Sequence, residues 1–184
     1  MNRSLRRLIA PCTLALLVTT AAVAVEPGYV DFGRFAGPKK GEYVEVTLGK
    51  GMLKLASLIT RHHNPEASDI ISGLTRVRVN VVGLDDANRD STTERVKTLR
   101  QDLGQQGWEQ IVSVRGKRDE DVAVFVKQRE GEVIDGIVVT VVDGRKNEAV
   151  FVNVVGKIKP EQLAMLGEQL DIKPLKGAVK AKEI

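Results

Sequence analysis

Few residues in this chain are of a type that does chemistry, and each group falls short of what its chemistry requires. His62 and His63, preceded by Arg61, are the only histidines. Two imidazoles can ligate a metal, but adjacent residues on a helix end point roughly 100° apart and do not grip one ion from one face. Basic side chains in a last helical turn are already favoured by the helix dipole. Asp86-x-Asn88-x-Asp90 has the opening of a calcium loop. Its sixth position, however, is Ser91 where glycine makes the sharp turn, and its twelfth is Lys97 where a bidentate glutamate closes the shell. Gly49-Lys50-Gly51 precedes a helix, as an anion site would, without the full phosphate-loop spacing. The single cysteine is Cys12, and no serine sits in a Gly-x-Ser-x-Gly elbow. Carboxylates remain: Asp85, Glu94 and Asp135 would serve a hydrolase only where the fold gathers them in a cleft with shifted pKa values. No catalytic, metal-binding or cofactor-binding residue is assigned on this basis, and no cofactor is expected.

The elements that would have to position such groups are legible from periodicity. A strand is expected over 42–48, leading through Gly49-Lys50-Gly51 into a helix on which Met52, Leu55, Leu58 and Ile59 recur with helical spacing. Asn64-Pro65 breaks it, and 66–72 reads as a further helical turn or two closing at Gly73. Residues 75–82 alternate, with Val77, Val79 and Val81 on one face and Arg76, Arg78 and Asn80 on the other, which is a half-buried strand. Ser91-x-x-Glu94 has the form of a capping box opening a helix striped by Val96, Leu99 and Leu103, and Gly107 stops it. Four strands follow, at 108–115, 121–128, 133–142 and 148–156, joined by short charged turns that discourage edge pairing. Pro160 opens a last helix with Leu163, Leu166 and Leu170 on one stripe. The expected fold is α+β: a mainly antiparallel, valine-rich sheet ending in a four-stranded meander, with about three helices packed on one face.

Residues 1–24 have the zones of a secretory signal: Arg3, Arg6 and Arg7, an apolar run over 8–18, and the small-residue exit Ala22-Val23-Ala24. Cleavage is expected after Ala24. The run is well short of the roughly 20 residues a spanning helix needs, and Cys12 interrupts it rather than following it as a lipid-bearing cysteine would. The expected product is periplasmic, without a stable membrane anchor and without thiol or disulfide chemistry. Lys+Arg number 28 against 24 Asp+Glu, and the three leader arginines account for most of that excess. What remains is close to neutral, which gives no electrostatic reason to expect nucleic acid. The remainder divides into a Gly/Pro/aromatic arm at 25–41, a single domain at 42–170 and a basic tail at 171–184.

Tyr29, Phe32 and Phe35 of the arm are three of the seven aromatics in the chain. Exposing that share is costly, so the arm is expected to lie against the domain or a partner. The last two strands are apolar on both sides, with Ile137, Val139 and Val141 opposed to Val138 and Val142, and Val150, Val152 and Val154 opposed to Phe151 and Val155. Such strands need cover on two faces. Helices cover one; the arm, a second copy of the chain or a ligand must cover the other.

Pro27-Gly28-Tyr29-Val30-Asp31-Phe32, Val44-Glu45-Val46-Thr47-Leu48, Gly73-Leu74 before Val77-Arg78-Val79, Gly107-Trp108-Glu109, Gly136-Ile137-Val138-Val139, and Asn153-Val154-Val155-Gly156 followed by Pro160-Glu161-Gln162-Leu163 occur in order along the chain. In that order they resemble the bacterial exported family known as domain of unknown function 4252. The resemblance implies an α+β domain exported by Gram-negative bacteria and supplies no catalytic or binding residues. The leading expectation is therefore a non-enzymatic domain that binds an unknown protein partner or itself through Tyr29, Phe32, Phe35, Val138, Phe151 and Val155. The alternative is a carrier or sensor of a small apolar ligand, with Val138, Phe151 and Val155 lining a cavity. A hydrolase built on clustered carboxylates is the third reading.

Overall fold

The computed structural model describes residues 26–116, 120–129 and 133–162. The expected leader, basic tail and final helix through Leu163, Leu166 and Leu170 lie outside these residues. In chain order the elements are β1 (Tyr43–Gly49), α1 (Lys50–Thr60), α2 (Pro65–Gly73), β2 (Leu74–Gly83), α3 (Arg89–Gln105), β3 (Glu109–Arg115), β4 (Glu120–Gln128), β5 (Ile134–Asp143) and β6 (Glu148–Ile158). The strands form one sheet in the order β1-β2-β6-β5-β4-β3, and every neighbouring pair is antiparallel. This is the expected α+β fold, with β3 to β6 as the C-terminal meander and the β1–β2 pair added along the outer side of β6.

Local chemistry accounts for most boundaries. Pro65 stands at the first position of α2, and the Asn64 side chain accepts a hydrogen bond from the Ala67 N–H at 2.9 Å. At the end of α3, Gly107 takes φ +75° and lets the Trp108 N–H return to the Leu103 carbonyl at 3.0 Å. The beginning of α3 differs from the capping-box expectation. The helix starts at Arg89, and Ser91 lies inside it, donating its hydroxyl to the Asn88 carbonyl at 3.0 Å. Asn88 is buried because its side chain ties the loop together: it accepts from Asp85 N–H (2.9 Å) and donates to the carbonyls of Gly83 (2.9 Å) and Ala36 (3.1 Å). Once Asn88 fixes the chain, its own carbonyl starts the helix ladder at Thr92.

The helices are not all on one face, as expected from sequence, but divided between the two. One apolar core joins Leu53 of α1 and Ile70 of α2 to Val124, Val126, Ile137, Val139, Val152 and Val154. The other joins Val96, Leu99 and Leu103 of α3 to Phe125, Val138 and Phe151. Strand alternation is the cause, since neighbours such as Ile137 and Val138 point to opposite sides and both need cover. The arm supplies what α3 leaves open on its side: Val30, Phe32 and Phe35 complete that second core.

The arm is held by its backbone as much as by its rings. Asn153, in the middle of β6 and fully buried, accepts from the Val30 N–H at 3.0 Å and donates to the Gly28 carbonyl at 2.9 Å. Gly28 has φ +83° and crosses directly over Gly136, where a β-carbon on either residue would overlap the other strand's backbone. Further along, Arg95 of α3 donates through Nε and Nη2 to the Phe32 carbonyl at 3.1 and 2.7 Å. Asp31 pairs with Arg78 at 3.0 Å, and Asp85 accepts from the Lys39 and Lys40 N–H groups at 2.7 and 3.0 Å.

Asn153→Ala leaves an arm N–H and an arm C=O buried without partners, so we expect a loss of about 3 kcal/mol in urea unfolding. Gly28→Ala, which meets the Asp135 backbone, is expected to detach the arm, read as accelerated amide exchange at Val30 and Phe32. Acid is expected to act on the same contacts. The Gly33 N–H and then Arg78 hold the Asp31 carboxyl below its ordinary range, and the Lys40 N–H, with those of Ala87 and Lys39, holds Asp85 below it. Stabilisation from such groups is complete above the ordinary carboxylate pKa of about 3.9 and is lost as pH falls through the lower folded values. Protection of the Gly33, Lys39 and Lys40 amides, relative to intrinsic exchange at each pH, should therefore fall on acidification below about pH 4, and Asp85→Asn should blunt that fall at Lys39 and Lys40.

Candidate interaction surface

Antiparallel pairing in uniform register lines the residues of one face into rows running across the strands. On the α1/α2 side, Val112, Val124, Val139, Val152, Val79 and Val46 are successive partners from β3 to β1, a valine on each of the six strands. Towards the Asp143–Glu148 turn, Val114, Val122, Val141, Val150, Val81 and Val44 make a second such row. α1 and α2 pack towards the other end of this face, around Leu74, Ile134 and Ile158. The valine rows are therefore covered unevenly. Val124 and Val139 are buried, Val79, Val81, Val141 and Val150 are half-buried, and the outermost Val44, Val46 and Val114 are exposed at 41%, 43% and 40%.

Two further elements extend this apolar surface. α1 is apolar on both sides: Leu53 and Ser57 turn inward, while Met52, Leu55, Leu58 and Ile59 turn outward and remain between 47% and 63% exposed. An apolar stripe of this width on a helix is normally turned towards a core. β1 is an edge strand of seven residues with regular register, no proline and no lysine, and nearly all of it is exposed. The opposite edge, β3, carries a bulge at Gln110–Val112 and charges at Glu109 and Arg115, the usual devices that keep an edge from pairing. On the arm side, Glu45 of β1 is anchored by Arg78 at 2.9 Å and accepts from the Tyr43 hydroxyl at 3.0 Å; burial and the Glu45 carboxylate push the Tyr43 phenol up.

Of the residues proposed from sequence as the interaction surface, four are interior, and Tyr29 and Phe35 are half-buried. Phe32, Val138, Phe151 and Val155 are buried, with Phe32 and Phe35 stacked against Phe151 at centroid distances of 5.7 and 4.3 Å. Tyr29 lies under the Arg76 guanidinium at 4.7 Å. The chain thus covers these strands with its own arm, and the need for a partner there is removed by that contact. The same packing closes the cavity that an apolar ligand at Val138, Phe151 and Val155 requires. The helical recurrence of Met52, Leu55, Leu58 and Ile59 expected from sequence is present, and the stripe that they form turns outward.

The polar motifs are dispersed. His62 and His63 are exposed in the turn after α1, and among the described residues no three of His, Cys, Asp and Glu approach closely enough to hold an ion. The Asp86-Asn88-Asp90 loop is organised around Asn88, as described above. Gly49 caps α1 without a side-chain bond. Asp85 binds arm amides, Asp135 pairs with Arg129 at 2.9 Å, and Glu94 pairs with Lys97 at 3.4 Å on exposed α3, so the three acids occupy three separate places. A cleft of about 780 Å3 does open between α3 and the β3–β4 pair, beside Lys97, Arg100, Arg115, Glu120 and Asp121. Its lining is charged, and Arg100 spans it to Asp121 at 2.8 Å and to the Thr140 hydroxyl at 2.9 Å.

Among the described residues no helix is long and apolar enough to cross a membrane. No curated protein matches the chain. A family match begins at Gly37, after the part of the arm that covers Phe151, and takes in the whole six-stranded sheet. Matched over residues 37–166, the chain belongs to the family described as Domain of unknown function (DUF4252).

Proposed function

We propose that the chain is an exported, non-enzymatic interaction domain that docks a protein through the open valine rows and the outer stripe of α1. The carrying observation is an asymmetry. On the face covered by α3 and the arm Tyr43 is, among the described residues, the exposed large apolar side chain, whereas the other face and its helix leave Val44, Val46, Met52, Leu55, Leu58, Ile59 and Val114 at 40% exposure or more. Scattered exposed apolar residues are ordinary, but these come from one face and the helix packed on it. Covering each half-exposed side chain would recover about 1 kcal/mol. Export is supported by the Arg-rich start, short apolar run and Ala22-Val23-Ala24 exit of the leader. A partner-binding role also fits the separate placement of Asp85, Glu94 and Asp135.

A photo-reactive side chain at Leu55 or Val46 of the exported protein should give discrete crosslinked species, and one at Lys97 on the closed side should not. Equal trapping at the three positions would remove the basis for this reading. Met52→Lys and Ile59→Lys are expected to change unfolding free energy by less than about 0.5 kcal/mol and to abolish the Leu55 crosslink, whereas Leu53→Lys should unfold the domain.

A further inference from the structure

We infer that the occupant of this surface is a second copy of the chain, joined β1 to β1 in antiparallel register centred on Val46; this rests on the docking surface proposed above. The Gly83 N–H donates to the Glu42 carbonyl at 2.8 Å, so the even-numbered residues of β1 direct their backbone groups at β2. Tyr43, Glu45 and Thr47 then direct theirs outward from the sheet, while the Gly49 carbonyl, at the cap of α1, serves the helix. A second β1 that uses these groups must pair odd residues with odd residues, which also keeps Val44, Val46 and Leu48 of both copies on one face.

Among such registers, the one centred on Val46 matches the strand to itself. Val46 meets its own copy, Val44 meets Leu48, Glu45 meets Thr47, and Tyr43 lies over Gly49, an aromatic covering an edge glycine. Just beyond the strand, Glu42 stands opposite Lys50 at both ends, so opposite charges close the pairing twice. The register centred on Glu45 sets that carboxylate against itself, and the one centred on Thr47 sets Lys50 against Val44. In the Val46 register the row ending at Val46 runs on into its copy. The first turn of each α1, with its exposed Met52, arrives beside Glu42 of the other copy and on the face that Val44 occupies. The exposed edge and the exposed helix stripe thereby find cover in one arrangement.

Cys12 is the only cysteine, so in a Cys12→Ser background an introduced cysteine is the sole thiol. Position 46 sits on the two-fold axis in a pair without mutual hydrogen bonds, where Cα atoms are about 4.5 Å apart and within disulfide range. Val46→Cys should oxidise to a covalent dimer. Val44→Cys should not, because the two copies of residue 44 are about 14 Å apart along the strand. By light scattering the unsubstituted exported protein should be dimeric. Lys50→Glu should weaken the dimer roughly ten-fold by facing Glu42, and adding Glu42→Lys should restore it. A strict monomer that still gives Leu55 crosslinks to a different protein would overturn the second copy and leave the docking surface standing. A monomer with no crosslinks from Leu55 or Val46 would end both. A dimer in which Val44→Cys oxidises as readily as Val46→Cys would overturn the register.

Discussion

The fold depends on a side-chain amide in the middle of its sheet. Asn153 is fully enclosed between Val152 and Val154, a position where an unpaired polar group is strongly destabilising. Its partners are the Gly28 carbonyl, the Val30 N–H and, at 3.2 Å, the Ile137 carbonyl. The amide therefore recognises extended backbone, and does so on the face where Phe151 would otherwise lie bare. Without the arm, the asparagine is orphaned and the phenylalanine exposed. With it, both deficits are met by one short segment whose two glycine-permitted features, the turn at Gly28 and the crossing at Gly136, bring backbone against backbone.

Closing that face with the arm leaves α1 and α2 to cover the other, and two short helices do not span a six-stranded sheet. The uncovered remainder is a consequence of how the cover is distributed. Polar residues could have occupied the open ends of the rows at no cost to the fold, as they do on the outer face of many antiparallel sheets. Here those positions are valine, and the helix beside them is apolar on its outer side. The charged strand residues of β1 and β2 are found on the opposite surface, where Arg78 joins Asp31 to Glu45. That separation leaves the valine-bearing face of β1 and β2 apolar and the arm-side face charged.

Much of the architecture was legible in the sequence because the strands are valine-rich and their turns are marked by glycine and charge. The alternation of Val77, Val79 and Val81 with Arg76, Arg78 and Asn80 identified β2 and its two faces, and Gly107 identified the end of α3. What was not legible depends on long-range contact. Ser91-x-x-Glu94 has a capping sequence, yet the cap is set by Asn88 bonding to Gly83 and Ala36, and the Ala36 carbonyl is 52 positions away. The two-sided apolarity of β5 and β6 correctly indicated cover on both faces without saying that the arm supplies part of it. For the same reason Tyr29, Phe32 and Phe35 looked available to a partner. α1 misled in another way, since its periodic apolar stripe of Met52, Leu55, Leu58 and Ile59 turns outward while Leu53 and Ser57 turn in.

The hydrogen bond from Val30 to Asn153 joins residues 123 positions apart. The receptor for the arm consists of β5 and β6, the last strands to be synthesised, and the arm itself is among the first segments to exist. As the chain grows from its amino terminus, three aromatic side chains must wait beside a polar, glycine-rich stretch until almost every other strand has been made. Final closure thus requires the β5–β6 hairpin, and a contact of such large sequence separation is slow to form. A chain halted between Gln105 and Asn153 would hold α1, α2 and α3 and no seat for its arm.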